Sequence, residues 1–227
     1  MRPGGISVLT RNVWYSAGRA ACAVYAGLML DLDVTGHEWM PAGPKLIVAN
    51  HPSTSDPCYL PLVFSTPIDM LLIDTVFRVP LVGAYLRRAG QVSVVRGDGQ
   101  VAFVEAKRRL AAGRSVALFP EGNVSPREGG TLVPRSGAAR LALISGAPVV
   151  PVGIGISRER LRDICASFRR RRLSGHWYLR GPYFVSVGRP LRFEGDVTDT
   201  AHVESVSTAI MDHISVLAHQ SESRLKK

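Results

Sequence analysis

The sequence predicts an α/β fold: a largely parallel central sheet flanked by helices, with an N-terminal membrane-associating helical segment. Three observations carry the prediction. Short apolar runs of strand length recur along the chain, stretches with helical periodicity separate them, and a nearly apolar stretch, Val13 to Leu30, precedes them all. Strands alternating with helices build a parallel sheet, because a parallel crossover needs a helix to return the chain.

Each element has its own signal. Val13 to Leu30 is about the shortest length that crosses a bilayer, but it holds Arg19 in its middle and two glycines. It therefore reads as a helix that lies on or dips into an interface rather than a clean span. It has no small-x-small cleavage site and is not read as a signal peptide. Leu46 to Ala49 reads as a buried strand, followed by a helix from Pro57 to Phe64. Further strands are expected at Met70–Ile73, Val92–Val95, Val116–Phe119, Val149–Ile154 and Tyr183–Val187. Helices are expected at Leu81–Arg88, Val101–Ala112, Gly137–Ser145 and Val203–Ala218. The domain reading is 1–33 as the N-terminal membrane-associating segment, 34–220 as the α/β domain and 221–227 as a polar tail.

Composition narrows the class. The chain has 227 residues, 46% of them hydrophobic, enough to bury one sizeable core. Its three cysteines, Cys22, Cys58 and Cys165, are too few for a disulfide scaffold and read as reduced thiols in a cytosolic setting. The formal charge of +10 points to an anionic partner. Between Arg158 and Arg180 there are eight arginines and two acids, and Leu161, Ile164, Cys165 and Phe168 fall at helical spacing. That stretch reads as a basic amphipathic helix suited to an anionic lipid surface.

Ligand sites of such sheets form where loops leave the carboxyl ends of the strands. Three polar clusters follow strands. In Asn50-His51-Pro52-Ser53-Thr54-Ser55-Asp56, the aspartate can hold the imidazole Nδ1–H and leave Nε2 as a base, while Asp56 before Pro57 also suits a helix N-cap. Gly90 to Arg96 delivers an arginine at a strand end, a geometry suited to phosphate or carboxylate, or simply to solvent. Phe119-Pro120-Glu121-Gly122-Asn123-Val124-Ser125 is a turn whose backbone can approach a ligand, with Glu121 free to order a basic neighbour or a substrate hydroxyl. The sequence Ala147-Pro148-Val149-Val150-Pro151-Val152-Gly153 carries no titratable group.

In order and spacing these clusters resemble the glycerolipid acyltransferases of the 1-acyl-sn-glycerol-3-phosphate (lysophosphatidic acid) type. Asn50-His51-x4-Asp56, Gly90-x5-Arg96, Phe119-Pro120-Glu121-Gly122 and Val150-Pro151-Val152 match that family's motifs, and Arg135-Ser136-Gly137-Ala138-Ala139-Arg140 looks like its basic Gly-Ala segment. The resemblance implies transfer of a fatty acyl group from acyl-CoA or acyl carrier protein to a lysophospholipid hydroxyl, in phospholipid biosynthesis or remodelling. It implies His51 as general base, Asp56 as its orienting partner, and Arg96, Glu121, Gly122, Asn123, Ser125 and Arg135 around the acceptor. It implies no cofactor and no metal beyond the thioester donor, and a peripheral or monotopic enzyme on the cytoplasmic face of an anionic membrane. Two departures stand out: Ser93 where the family commonly has Phe, and Asn123-Val124-Ser125 where it usually has Thr-Arg-Ser, with Arg127 or Arg135 as stand-ins for the arginine.

No Gly-x-Ser-x-Gly elbow is present, so no acyl-enzyme is expected. His37-Glu38 lacks a second zinc-spaced histidine, Gly153-Ile154-Gly155 is too short for a dinucleotide fingerprint, and Cys58 near His51 shows no sign of a tuned thiolate. Two alternatives remain: a non-catalytic basic module binding anionic lipid or nucleic acid, and a thioesterase or transacylase using the same His–Asp pair. Nucleic acid is the less expected partner, since only 7% of residues are aromatic and no helix-turn-helix or zinc pattern appears.

Overall fold

The computed structural model describes residues 8–130, 132–168 and 171–225. Helix α1 (Val8–Met29) leads into strand β1 (Leu30–Thr35). Then come β2 (Leu46–Ala49), α2 (Asp56–Tyr59), β3 (Ile68–Ile73), α3 (Val82–Arg88), β4 (Val92–Val94), α4 (Gln100–Ala111) and β5 (Ser115–Leu118). The chain continues through α5 (Gly137–Ser145), β6 (Val149–Ile156), β7 (Arg162–Phe168), β8 (Arg171–Trp177), β9 (Gly181–Val187) and α6 (Thr200–Arg224).

Seven strands form one sheet in the order β1-β9-β6-β2-β5-β3-β4. All neighbours are parallel except β6 and β9, which run antiparallel. The expected largely parallel sheet is therefore present. The central strands read as unbroken apolar runs because both faces are covered: Leu46 and Val48 point into one core, Ile47 and Ala49 into the other. One face packs against α4, α5 and α6 through Ala106, Leu110, Leu141, Ile210 and Ile214. The other packs under α1 and α2 with Ala26, Tyr59, Leu60 and Phe64. Gly153 explains the glycines of β6: a Cβ there would sit 2.0 Å from the Leu217 backbone, so glycine lets α6 approach the sheet.

Three expectations are corrected. The arginine-rich stretch is not a helix but an antiparallel hairpin, β7 on β8, with Cys165 opposite Ser174. Its i, i+3, i+4, i+7 pattern is too short to distinguish a helix from a strand, and the pairing partner decided. Arg169 and Arg170 lie outside the described residues. Strand β1 straddles the expected boundary at 33/34 and pairs with β9, so the sheet recruits residues assigned to the N-terminal segment. Asp56 is the first residue of α2, with Ser55 at the N-cap, so the aspartate is not the cap.

Helix α1 runs along the body of the domain. Its Arg11 pairs with Asp69 at 2.7 Å, Tyr15 Oη accepts the Ile68 N–H, and Arg19 donates to the carbonyls of Pro61 and Phe64. Its opposite face exposes Leu9, Val13, Val24 and Leu28, which lie within about 100° of one another around the helix. No helix among the described residues is long and apolar enough to cross a membrane.

On α4, Glu105 receives Arg108 at 2.8 Å and Arg109 at 2.7 Å. The Arg108 hydrogen bonds first, and Arg109 next, pull the Glu105 carboxyl down to about 2. A carboxyl depressed on folding stabilises above its unfolded value, near 4.3, and loses that contribution as pH falls through the folded one. Glu105→Gln is expected to lower stability at neutral pH by about 1 kcal/mol or less, since the pair is half open to water. The difference from wild type should vanish between about pH 4 and pH 2, as read by urea midpoints across a pH series.

Candidate active site

The site lies at the carboxyl ends of β2 and β5, where an open parallel sheet leaves loops free to converge. Asn50 closes β2. Its side chain donates to the Ile154 carbonyl at 2.9 Å and accepts the Ile154 N–H at 2.7 Å, locking the start of the loop to β6. His51 follows, and its ring stacks on Phe119 at 3.9 Å between centroids. Its Nδ1 lies 2.8 Å from Asp56 Oδ2.

Asp56 is fully buried, and both of its carboxylate oxygens accept hydrogen bonds. Oδ2 also accepts the Ser53 N–H at 2.9 Å, and Oδ1 accepts the Tyr183 hydroxyl at 2.9 Å. The phenol is held far above its ordinary range, by burial first and by the Asp56 charge next, so it stays a donor. With Nδ1–H pointed at a carboxylate, the neutral ring carries its free lone pair on Nε2. No protein group among the described residues bonds Nε2, and 13% of the side chain remains open to solvent.

Glu121 does not face a ligand. It is 2% exposed, and its carboxylate accepts from the His51 N–H at 3.3 Å, the Ser125 hydroxyl at 3.1 Å and the Leu132 N–H at 2.8 Å. Ser125, also 2% exposed, bonds back through its N–H to the His51 carbonyl at 2.8 Å. Both residues hold the loop after β5 against the loop after β2, a bracing contact beside the role expected of them at the acceptor. This buried carboxylate is satisfied by three donors of the protein itself.

The other candidates sit on the accessible rim. Arg96 is exposed and reaches Asn123 Oδ1 at 3.5 Å, joining the loops after β4 and β5. Gly122 adopts a left-handed φ of 67°, and a Cβ there would lie 2.6 Å from Arg135 Nε, so Arg135 folds flat over the glycine. Arg127 is engaged elsewhere: it pairs with Asp163 at 2.8 Å and with the Leu161 carbonyl at 3.2 Å. Of the two stand-ins for the missing arginine, only Arg135 is uncommitted to an acid. The Cys58 thiol is pushed well above its ordinary value, by its neighbour Cys22 first and by burial next. Tyr183 was not a candidate in the sequence. Its only signal was a polar-tipped aromatic in an otherwise apolar strand, which becomes informative once β9 is seen beside α2.

Fold and site together define an α/β domain carrying a carboxylate-held imidazole with one open nitrogen, the arrangement of a general base. A family model described as acyltransferase matches residues 31–155, more than half of the sequence, and the chain belongs to the acyltransferase family. It is 32% identical over 127 residues to a 1-acyl-sn-glycerol-3-phosphate acyltransferase of Borreliella burgdorferi, covering 54% of this chain and 50% of that protein. It is 33% identical over 149 residues to a lyso-ornithine lipid O-acyltransferase of Pseudomonas aeruginosa, covering 63% of this chain and 54% of the relative. The chain thus spans about half the length of these curated relatives. Among solved structures, its fold is similar to the 1-acyl-sn-glycerophosphate (LPA) acyltransferase PlsC from Thermotoga maritima, with a TM-score of 0.66 and 23% identity, over 96% of this chain and 80% of that one.

Proposed function

We propose that this protein transfers a fatty acyl group from an acyl thioester, acyl-CoA or acyl carrier protein, to the hydroxyl of a lysolipid. The observation that carries the proposal is the open Nε2 of a histidine whose other nitrogen is gripped by a buried carboxylate. Its support is membership of the acyltransferase family and likeness to relatives named for lysophosphatidate and lyso-ornithine lipid acylation.

In the proposed step His51 Nε2 takes the proton of the acceptor hydroxyl as its oxygen attacks the thioester carbonyl carbon. The C–O bond forms, the tetrahedral intermediate collapses with cleavage of the C–S bond, and the imidazolium returns its proton to the leaving thiolate. Asp56 stabilises the imidazolium and keeps the ring in one orientation. No cofactor is required.

The exposed apolar face of α1, beside a formal charge of +10, suits peripheral attachment to an anionic membrane, on the cytoplasmic side where acyl thioesters are made. Arg135 and Arg96 are the cations proposed to meet an acceptor phosphate. Arg135→Gln is expected to raise KM for 1-oleoyl-lysophosphatidate by about 10-fold or more, the usual loss of a charged hydrogen bond, while leaving KM for palmitoyl-CoA in place. A second reading of the acceptor follows from Val124 and from the lyso-ornithine relative: an acceptor without phosphate. Parallel assays with lysophosphatidate and lyso-ornithine lipid decide between them. Turnover of neither, with release of free fatty acid, overturns the transferase reading.

A further inference from the structure

The end of strand β8 is bonded to the 53–55 loop through the His176 carbonyl and, just beyond the strand, the Tyr178 N–H. The His176 carbonyl accepts the Thr54 N–H at 2.8 Å and the Ser53 hydroxyl at 3.1 Å. The Tyr178 N–H donates to Ser53 Oγ at 2.9 Å and to Ser55 Oγ at 3.1 Å. The Ser55 N–H also donates to Ser53 Oγ at 3.1 Å, so that one hydroxyl uses its proton and both lone pairs. The backbone of the same residue points the other way, its N–H on Asp56 Oδ2, the oxygen that holds His51. Ser53 therefore connects β8 to the base through two residues.

Packing sharpens the fit. A Cβ on Gly175 would lie 2.4 Å from Thr54 Oγ1, and that hydroxyl is buried with no hydrogen-bond partner among the described residues, so the contact there is one of shape. Within the hairpin the His176 ring of β8 meets Asp163 of β7, and Arg127 ties the hairpin to the loop after β5 by pairing with the same carboxylate. Arg127 follows the loop whose Glu121 accepts the His51 N–H. Both loops of the site thus lean on one hairpin.

We infer that the end of strand β8 is a clamp for the base: through Ser53, the His176 carbonyl and the Tyr178 N–H just beyond the strand set the position of Asp56 and hence the direction of the His51 ring. Ser53 is a positioning residue that touches no substrate, and Gly175 is the gap that lets the strand come close. The inference rests on the proposed role of His51, so its test is read at the ring as well as in turnover.

The full chain is labelled with 15N-histidine, and the His51 resonances are assigned by their loss in His51→Gln. Wild type is expected to show a slowly exchanging Nδ1–H proton. Gly175→Ala, whose methyl meets Thr54, is expected to broaden or abolish it. The same variant should lower kcat for palmitoyl transfer from palmitoyl-CoA to 1-oleoyl-lysophosphatidate by about 10- to 100-fold. Both KM values should stay within about twofold, the signature of lost transition-state geometry. Thr54→Ala, which removes the Oγ1 that the new methyl meets most closely and the Cγ2 beside it, is the reference background, and the double variant is expected to recover both readouts. Ser53→Ala should reproduce the loss without rescue by Thr54→Ala, and it alone decides the matter if Gly175→Ala does not fold. An unchanged Nδ1–H signal in Ser53→Ala, or a double variant as impaired as Gly175→Ala, overturns the clamp. If wild type transfers no acyl group, the proposed function falls, and the His51 resonance still decides the clamp.

Discussion

His51→Ala is expected to leave a folded protein with kcat for acyl transfer lowered by ~10²–10⁴-fold, the usual worth of a positioned general base. The fold should survive because Asp56 keeps two of its three donors, the Ser53 N–H and the Tyr183 hydroxyl. The ring itself sits at the edge of the core, stacked on Phe119 on one side and partly open to water. KM for the thioester should change little, since the base acts on the acceptor proton and carries none of the donor's binding energy. Steady-state kinetics with palmitoyl-CoA and the preferred lysolipid, beside matched thermal melts, check the result. A folded variant with wild-type kcat removes His51 from the mechanism. Any residual rate measures what positioning and charge stabilisation achieve without a base.

Asp69→Ala should be the most destabilising single substitution among the ionic contacts, costing about 3–5 kcal/mol. Asp69 is fully buried at the start of β3 and meets Arg11 at 2.7 Å, Arg109 at 3.2 Å and Arg114 at 2.5 Å. Removing it leaves three guanidinium groups packed together with little water to screen them. Burial already holds the Arg114 guanidinium below its ordinary value, opposed by the Asp69 charge, and the variant loses that compensation. For a chain of this length the melting temperature should fall by on the order of 10 °C. Because Arg11 belongs to α1, the amides of that helix should lose hydrogen-exchange protection before those of β2 and β5. A melt within about 2 °C of wild type shows that the cluster is idle.

Much of the architecture was legible in the order of apolar runs. Leu46–Ala49 and Gly137–Ser145 are where the pattern puts them, and the other sheet strands expected after residue 45 fall within a few residues of their expected ends, whereas α2 stops at Tyr59 rather than Phe64 and α6 runs on past Ala218 to Arg224, into the expected polar tail. That follows from the physics of a sheet covered on both faces: its central strands must be apolar throughout, and composition alone reveals them. Strand β1 was legible in principle, since Leu30-Asp31-Leu32-Asp33-Val34 alternates with a period of two. The apolar stretch before it drew those residues into the helix. The hairpin was not legible, because its apolar pattern is too short to tell a strand from a helix and its long-range partners are not local in sequence, and Ile164 and Cys165 both stay exposed.

The sequence by itself determined the chemistry on offer: a histidine and an aspartate five residues apart, arginines at strand ends, and the succession of strands and helices that brings them to one edge. Tertiary structure decided which groups are free to react. Glu121 and Ser125 look like ligand contacts along the chain, yet each is closed off by the other and by the His51 backbone. Tyr183 and β8 look like scaffold, yet they hold Asp56 and its loop from more than a hundred residues away. The reason is that a buried polar group must find partners wherever the packed chain supplies them, and no local spacing records which donor arrives.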